Sequence, residues 1–185
     1  LIRPLTQNGL LSKDALVTIN AVSGYSGGGK GLIAQMEDET REDMISAPHF
    51  IYATGLTHKH VPEITTYGML NNAPIFTPSV GRFPQGMIVQ IPLHMAALDN
   101  GSRKAVHDAL VTHYDGSDHV RVASLEESAE VVRLDATSLA GQDTMDLHVF
   151  GHEGQINLVV ILDNLGKGAS GACVQALDLM LTADN

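Results

Sequence analysis

Cysteine is nearly absent: Cys173 is the one thiol in 185 residues. No intrachain disulfide can form and no cysteine cluster can hold a metal, so a reducing, cytoplasmic compartment is expected. Cations are scarce too. Eleven Lys and Arg face 21 Asp and Glu, for a formal charge of −10. A nucleic-acid binder needs a basic face for phosphates, and an anionic membrane surface asks the same, so neither partner is expected. A small anionic ligand stays open, because local charge decides that. No apolar run approaches the ~18–20 residues of a membrane span. Internal repeats and low-complexity tracts are missing as well.

What is there describes one globular domain. Hydrophobic residues make up 44% and charged residues 17%, too apolar for a disordered chain. At this size about 70% of the chain surface can be buried, enough for a core without staples. The chain opens Leu1-Ile2-Arg3-Pro4-Leu5, which reads as an element already under way and lacks the order of a signal peptide. A fragment of a longer protein is expected.

Residues 4–11 read as a helix tail closed by Asn8-Gly9. Strands are expected at 15–23, 49–54, 74–80, 87–94, 120–124, 131–134, 145–151 and 155–162, from alternation and β-branched content. Pro78 and Pro92 suggest edge positions for two of them. Helices are expected at 32–38, 62–70, 103–113 and 169–182, with Ser102 as an N-cap. Several strands follow one another without helices between them. That order predicts an α+β fold, a mostly antiparallel mixed sheet with helices packed on one face.

Four segments could carry chemistry, and they hold Lys30, Lys59, Arg82 and Lys167 of the eleven cations. The first is Ser23-Gly24-Tyr25-Ser26-Gly27-Gly28-Gly29-Lys30, directly after a strand. Five glycines in the eight residues 24–31 exclude a regular element on this reading. Free N–H groups, two hydroxyls and a lysine make an anion cradle. Gly24 to Lys30 also has P-loop spacing, but Gly31 stands where Ser or Thr would hold Mg²⁺. The second is Gly55-Leu56-Thr57-His58-Lys59-His60-Val61-Pro62-Glu63-Ile64. In an extended chain His58 and His60 share a face, and imidazole is the side chain best set for proton transfer near neutrality. Two rings and Glu63 could also suit Zn or Fe, but no third strong ligand motif accompanies them, and no metal is expected. The third, Phe76 to Met87, places Arg82 in a loop that could grip a carboxylate or phosphate. The fourth, Asp163-Asn164-Leu165-Gly166-Lys167-Gly168-Ala169-Ser170-Gly171-Ala172, joins a strand end to a helix start, a common ligand position. Cys173, inside an apolar helix, reads as a small buried hydrophobe. A non-catalytic binding module with decorative loops remains an alternative, as does a nucleotide hydrolase.

Taken in order, AVSGYSGGGK, GLTHKHVPEI, FTPSVGRFPQGM and DNLGKGASGACVQ resemble the N-acetyl-γ-glutamyl-phosphate reductases of the shorter-chain class, from Pro4 to about Leu181. The resemblance implies two domains. An N-terminal Rossmann domain binds NADP(H). The second domain, similar to that of glyceraldehyde-3-phosphate and aspartate-semialdehyde dehydrogenases, carries the substrate site. The family's nucleophilic Cys lies in a Pro-Gly-Cys-Tyr-Pro-Thr type motif whose signature ends at a Pro matched by Pro4. Nucleophile and dinucleotide fingerprint are therefore expected upstream of Leu1, and this chain alone is expected to be inactive. The implied reaction is reductive dephosphorylation of an acyl phosphate through a Cys thioester, in arginine biosynthesis. By resemblance His58 is the catalytic histidine, with His60 second choice. Ser23, Gly24, Ser26, Gly27 and Lys30 surround the acyl phosphate or α-carboxylate, with Glu63 and Arg82 further candidates. Asn164 approaches the nicotinamide amide and Gly168 allows close cofactor approach. A homo-oligomer, dimer or tetramer, is implied. The helices at 1–11 and 169–182 are expected to expose apolar faces at the seam with the Rossmann domain.

Overall fold

The computed structural model describes residues 1–182. Its frame is a seven-stranded sheet in the order β2-β3-β1-β4-β7-β6-β5. The strands are β1 (Thr18–Gly24), β2 (His49–Ile51), β3 (Ile75–Gly81), β4 (Met87–His94), β5 (Val120–Val122), β6 (Met145–His152) and β7 (Gln155–Leu162). β7 pairs along its whole length with β4 and β6, the position its almost unbroken apolar run calls for. Pairs β1–β4, β2–β3, β4–β7 and β6–β7 are antiparallel, while β1–β3 and β5–β6 are parallel. The expected mixed, mostly antiparallel α+β architecture is present.

The helices are α1 (Ile2–Gln7), α2 (Gly29–Glu37), α3 (His60–Tyr67), α4 (Arg103–Tyr114), α5 (Leu125–Glu130) and α6 (Gly171–Thr182). Strand alternation turns Ile19, Ala21, Ile91, Leu93, Leu147, Val149, Leu158 and Val160 to one face, where Ile2 and Leu5 of α1, Val61 of α3, and Val106 and Leu110 of α4 join them in one buried cluster. Ser102 caps α4 as expected, its Oγ accepting the Ala105 N–H at 3.0 Å. The opposite face is mixed, with Ile88, Phe150 and Val159 beside Gln90 and Asn157. Asn157 Nδ2 donates to Gln90 Oε1 at 3.1 Å, and Thr77 Oγ1 to Asn20 Oδ1 at 2.5 Å. Asn157 Oδ1 is buried there without a partner among the described residues. The short α5 reaches round the sheet edge onto this face, where its Ser128 Oγ lies 3.3 Å from His148 Nδ1.

Several local expectations need correction. The glycine run is regular: Tyr25–Gly28 form a 3₁₀ turn and Gly29 already opens α2. The strand expected at 131–134 is irregular, and α5 precedes it. Ser124 caps α5 by accepting the Glu127 N–H at 3.0 Å, and Glu126 and Glu127 sit favourably in its first turn. β2 stops at Ile51, two residues before Ala53 takes a φ of 50°. α3 opens at His60, ahead of Pro62. A π-turn over Gly166–Ser170 leads into α6. Neither Pro78 nor Pro92 lies on an edge strand. Each sits where a neighbour ends, since β2 pairs only with residues 79–81 and β1 only with residues 87–90 of their partners. No ladder donor is therefore missed, and the Pro78 carbonyl still accepts the Tyr52 N–H at 3.2 Å.

The two terminal helices differ. α1 buries Ile2 and Leu5, so it exposes no apolar face. α6 leaves Val174, Leu177, Met180 and Leu181 exposed, and Cys173 is exposed beside them rather than buried. Among the described residues, no helix is long and apolar enough to cross a membrane.

Candidate active site

Parallel pairing sets the site. β1 and β3 run side by side, Ser23 opposite Val80 and Gly24 opposite Gly81, so both chains leave the sheet together. The residues after β7 arrive beside them through β4. At this corner a cavity of ≈ 560 Å³ opens on the helix-bearing face, lined by Ser23, Gly24, Gly27, His58, His60, Asn164 and Gly168, with Lys59, Tyr52 and Phe76. A second cavity of ≈ 420 Å³ shares His60, Phe76, Met87 and Gly168 with it, and Glu63 lines that one. All four expected segments thus contribute to the first cavity. Segment three supplies its side chains from strand residues such as Phe76 and Met87, not from Arg82.

His58 sits just before α3. Its Nδ1 accepts the backbone N–H of His60 at 3.2 Å. The two rings lie 4.8 Å apart, with Tyr52 at 5.6 Å and Phe76 at 5.1 Å from His58. The pair meets at a helix start, not along an extended strand. Loss of hydration among these rings, then the neighbouring His60 and Lys59, pushes the His58 pKa below its ordinary 6.5, with Glu63 opposing. A neutral ring whose Nδ1 accepts carries its proton on Nε2, which makes Nε2 a donor for a ligand oxygen. Among the described residues no group of three or more His, Cys, Asp or Glu is arranged to hold a metal ion.

The glycine turn works differently from the expected open cradle. The N–H groups of Gly24, Tyr25 and Ser26 donate to the carbonyls of Gly86, Phe83 and Pro84 at 2.9, 3.0 and 3.1 Å. These three are spent and cannot serve a phosphate. Two side-chain donors, Asn164 and Ser23, line the cavity. Asn164, 9% exposed, accepts the Gly86 N–H through Oδ1 at 2.8 Å. Its Nδ2 donates to Ser26 Oγ at 3.0 Å and to the Gly24 carbonyl at 3.3 Å. Ser23 Oγ donates to that same carbonyl at 3.0 Å. A Cβ at position 27 would lie 3.2 Å from Asn164 Nδ2 and 3.5 Å from Ser23 Oγ. The glycine therefore leaves a niche between two neutral donors, where a ligand oxygen would compete with the Gly24 carbonyl for both.

Other candidates stand elsewhere. Ser26 acts through Asn164 and does not line the cavity. Lys30 is exposed on the first turn of α2, outside the lining. Arg82 turns away from the cavity. Its Nη1 and Nη2 donate to the carbonyls of Ile45 and Met36 at 2.5 and 2.9 Å, pinning the chain that follows α2. The sequence reading missed Tyr52 and Phe76 as cavity walls. It also missed Gln85, whose Nε2 donates to Asp163 Oδ2 at 2.9 Å. A strand-end acid two residues short of a Leu-Gly turn was the available signal for Asp163, and nothing marked Gln85.

A family model described as semialdehyde dehydrogenase, dimerisation domain, matches residues 1–164. The chain is 60% identical over 186 residues to an N-acetyl-gamma-glutamyl-phosphate reductase of Rhizobium rhizogenes, covering 99% of this chain and 60% of that protein. A reductase of the same name from Sinorhizobium medicae is 58% identical over the same shares. The chain thus spans about 60% of the length of these curated relatives. In fold it resembles the crystal structure of aspartate semialdehyde dehydrogenase II from Vibrio cholerae, with a TM-score of 0.64 at 18% identity over 98% of this chain and 58% of that one. Matched by the family model over most of its length, the chain belongs to the semialdehyde dehydrogenase dimerisation-domain family.

Proposed function

We propose that this chain is the substrate-binding and catalytic portion of an NADPH-dependent N-acetyl-γ-glutamyl-phosphate reductase of the cytoplasm. It would convert N-acetylglutamyl 5-phosphate to N-acetylglutamate 5-semialdehyde and phosphate in arginine biosynthesis. The observation that carries this reading is the convergence of His58, Ser23, Gly27 and Asn164 on one cavity. The names of relatives about 60% identical to it supply the substrate.

Asn164 and Gly168 suit a nicotinamide ring. Both line the cavity, and Asn164 Oδ1 keeps a second lone pair for a carboxamide N–H. When bound, NADPH supplies the hydride. This chain's residues do the rest of the positioning. The niche at Gly27 seats an oxygen of the α-carboxylate, which the acyl phosphate and the semialdehyde share, between Ser23 Oγ and Asn164 Nδ2. His58 Nε2–H donates a hydrogen bond to the oxygen that gains charge when a thiolate adds to the acyl carbon, and so stabilises it. The aromatic walls Tyr52 and Phe76 exclude water around the ring.

The exposed apolar side of α6 packs, on this reading, against the N-terminal domain that the relatives' greater length accommodates. The sheet face opposite the helices joins two copies, and a donor from the second copy satisfies Asn157 Oδ1. The test is an assay of phosphate-dependent NADP reduction with N-acetylglutamate 5-semialdehyde. The full-length protein should turn over and the 185-residue chain alone should not. A full-length protein inactive with this substrate would refute the proposal.

A further inference from the structure

We infer that Gln85 and Asp163 are positioning residues for the substrate turn, an inference that rests on the cavity being the reductase's substrate site. Asp163 is 0% exposed, yet among the described residues no Lys or Arg pairs with it. Its carboxylate is held by neutral donors alone: Gln85 Nε2 at 2.9 Å, the Leu165 N–H at 2.9 Å, and the Gly141 N–H. A buried carboxylate without a cation is costly to keep, so its partners must be held in place to retain it.

What Asp163 holds through Gln85 is the bed under the glycine turn. Residues 83–86 supply the three carbonyls that accept from Gly24, Tyr25 and Ser26. Contact there is backbone on backbone, since a Cβ on Gly24 would come within 2.6 Å of the Pro84 carbonyl oxygen. A shift of Pro84 or Gly86 therefore moves Gly24 directly, and with it Ser23 Oγ and the niche at Gly27. Arg82 fixes the start of this loop by donating its N–H to the Pro48 carbonyl at 2.9 Å. Gln85 is the side chain that fixes its middle. Asn164, the residue after Asp163, grips the same turn from the other side through Gly24, Ser26 and Gly86. One dipeptide at the end of β7 thus clasps the turn and its bed together.

The test uses full-length enzyme and the variant Gln85→Glu. Protonated, a glutamic acid at this position offers Asp163 an O–H as Gln85 offers an N–H. Ionised, it sets two carboxylates against each other, which raises the pair's pKa and pushes the loop away at higher pH. The KM for the semialdehyde should stay near wild type at low pH and climb about tenfold as the pair loses its proton, a displacement effect. The kcat and the KM for NADP should change less than about threefold, and the wild type should show no such climb. Gln85→Met, of similar length without a donor, should raise the semialdehyde KM at every pH, and it decides the matter if Gln85→Glu does not fold. The inference is overturned if both KM profiles parallel wild type, or if kcat, both KM values and the melting temperature all change together. A full-length wild type without turnover overturns the underlying reading and this inference with it. An active wild type with unaffected variants overturns this inference alone.

Discussion

His58 Nδ1 accepts the backbone N–H of His60 at 3.2 Å, so one histidine fixes the tautomer of the other. The bond leaves Nε2–H as the working atom of a ring already biased toward neutrality by burial. Replacing His58 with Ala in the full-length enzyme should lower kcat/KM by roughly tenfold or more, as positioned acid–base groups do. The pH dependence follows from the sign of the shift. The neutral ring is the working form and its pKa lies below 6.5, so kcat/KM should hold its plateau below pH 6.5 before an acid limb sets in. Steady-state kinetics across that range checks both.

Arg82 carries a structural load. Its guanidinium satisfies the carbonyls of Ile45 and Met36. Arg82→Ala should cost about 1–2 kcal/mol of stability, because charged hydrogen bonds are lost and carbonyls are left to water. The urea midpoint measures this. The kcat should stay within about threefold of wild type, which a residue gripping the substrate would not permit.

Asn157 offers a test of the proposed dimer face. Its Oδ1 is buried without a partner among the described residues, beside Gln90 on the sheet face opposite the helices. An Asn157→Arg variant should shift the full-length protein toward monomer in sedimentation, since a buried charge at an interface core is strongly unfavourable. Unchanged oligomeric mass would show that the copies meet elsewhere.

Much of this frame was legible in the chain. β4 emerges with its expected bounds at Met87–His94, and β7 at Gln155–Leu162, because long apolar or alternating runs leave few other placements. Ser102 marked the start of α4 for the same local reason. What was hidden depended on distant partners. Glycine content argued against order at 24–31, yet carbonyls from residues 83–86 hold the turn in place. His58 and His60 were paired correctly for the wrong reason, since a helix start rather than a strand brings them together. Arg82 looked like an anion ligand because nothing local reveals that two carbonyls from another element will take it. Gln85 gave no sign at all, because its partner lies 78 residues away.

His148 should make stability sensitive to acid. It is 3% exposed, and burial, then Arg121, lowers its pKa from 6.5. The unfolded chain therefore binds the proton first. The contribution is fully present above pH 6.5 and is lost as pH falls through that value toward the folded pKa. Urea midpoints on either side of pH 6.5 should differ less in His148→Leu than in wild type.

The niche beside Gly27 is tested by filling it. An Ala side chain there would meet only Asn164 Nδ2 at 3.2 Å and Ser23 Oγ at 3.5 Å, both side-chain atoms, so the fold should survive. In the full-length enzyme, Gly27→Ala should raise the KM for N-acetylglutamate 5-semialdehyde by about tenfold or more with a melting temperature close to wild type. A KM equal to that of wild type in a folded Gly27→Ala protein would show that no substrate oxygen sits between those two donors.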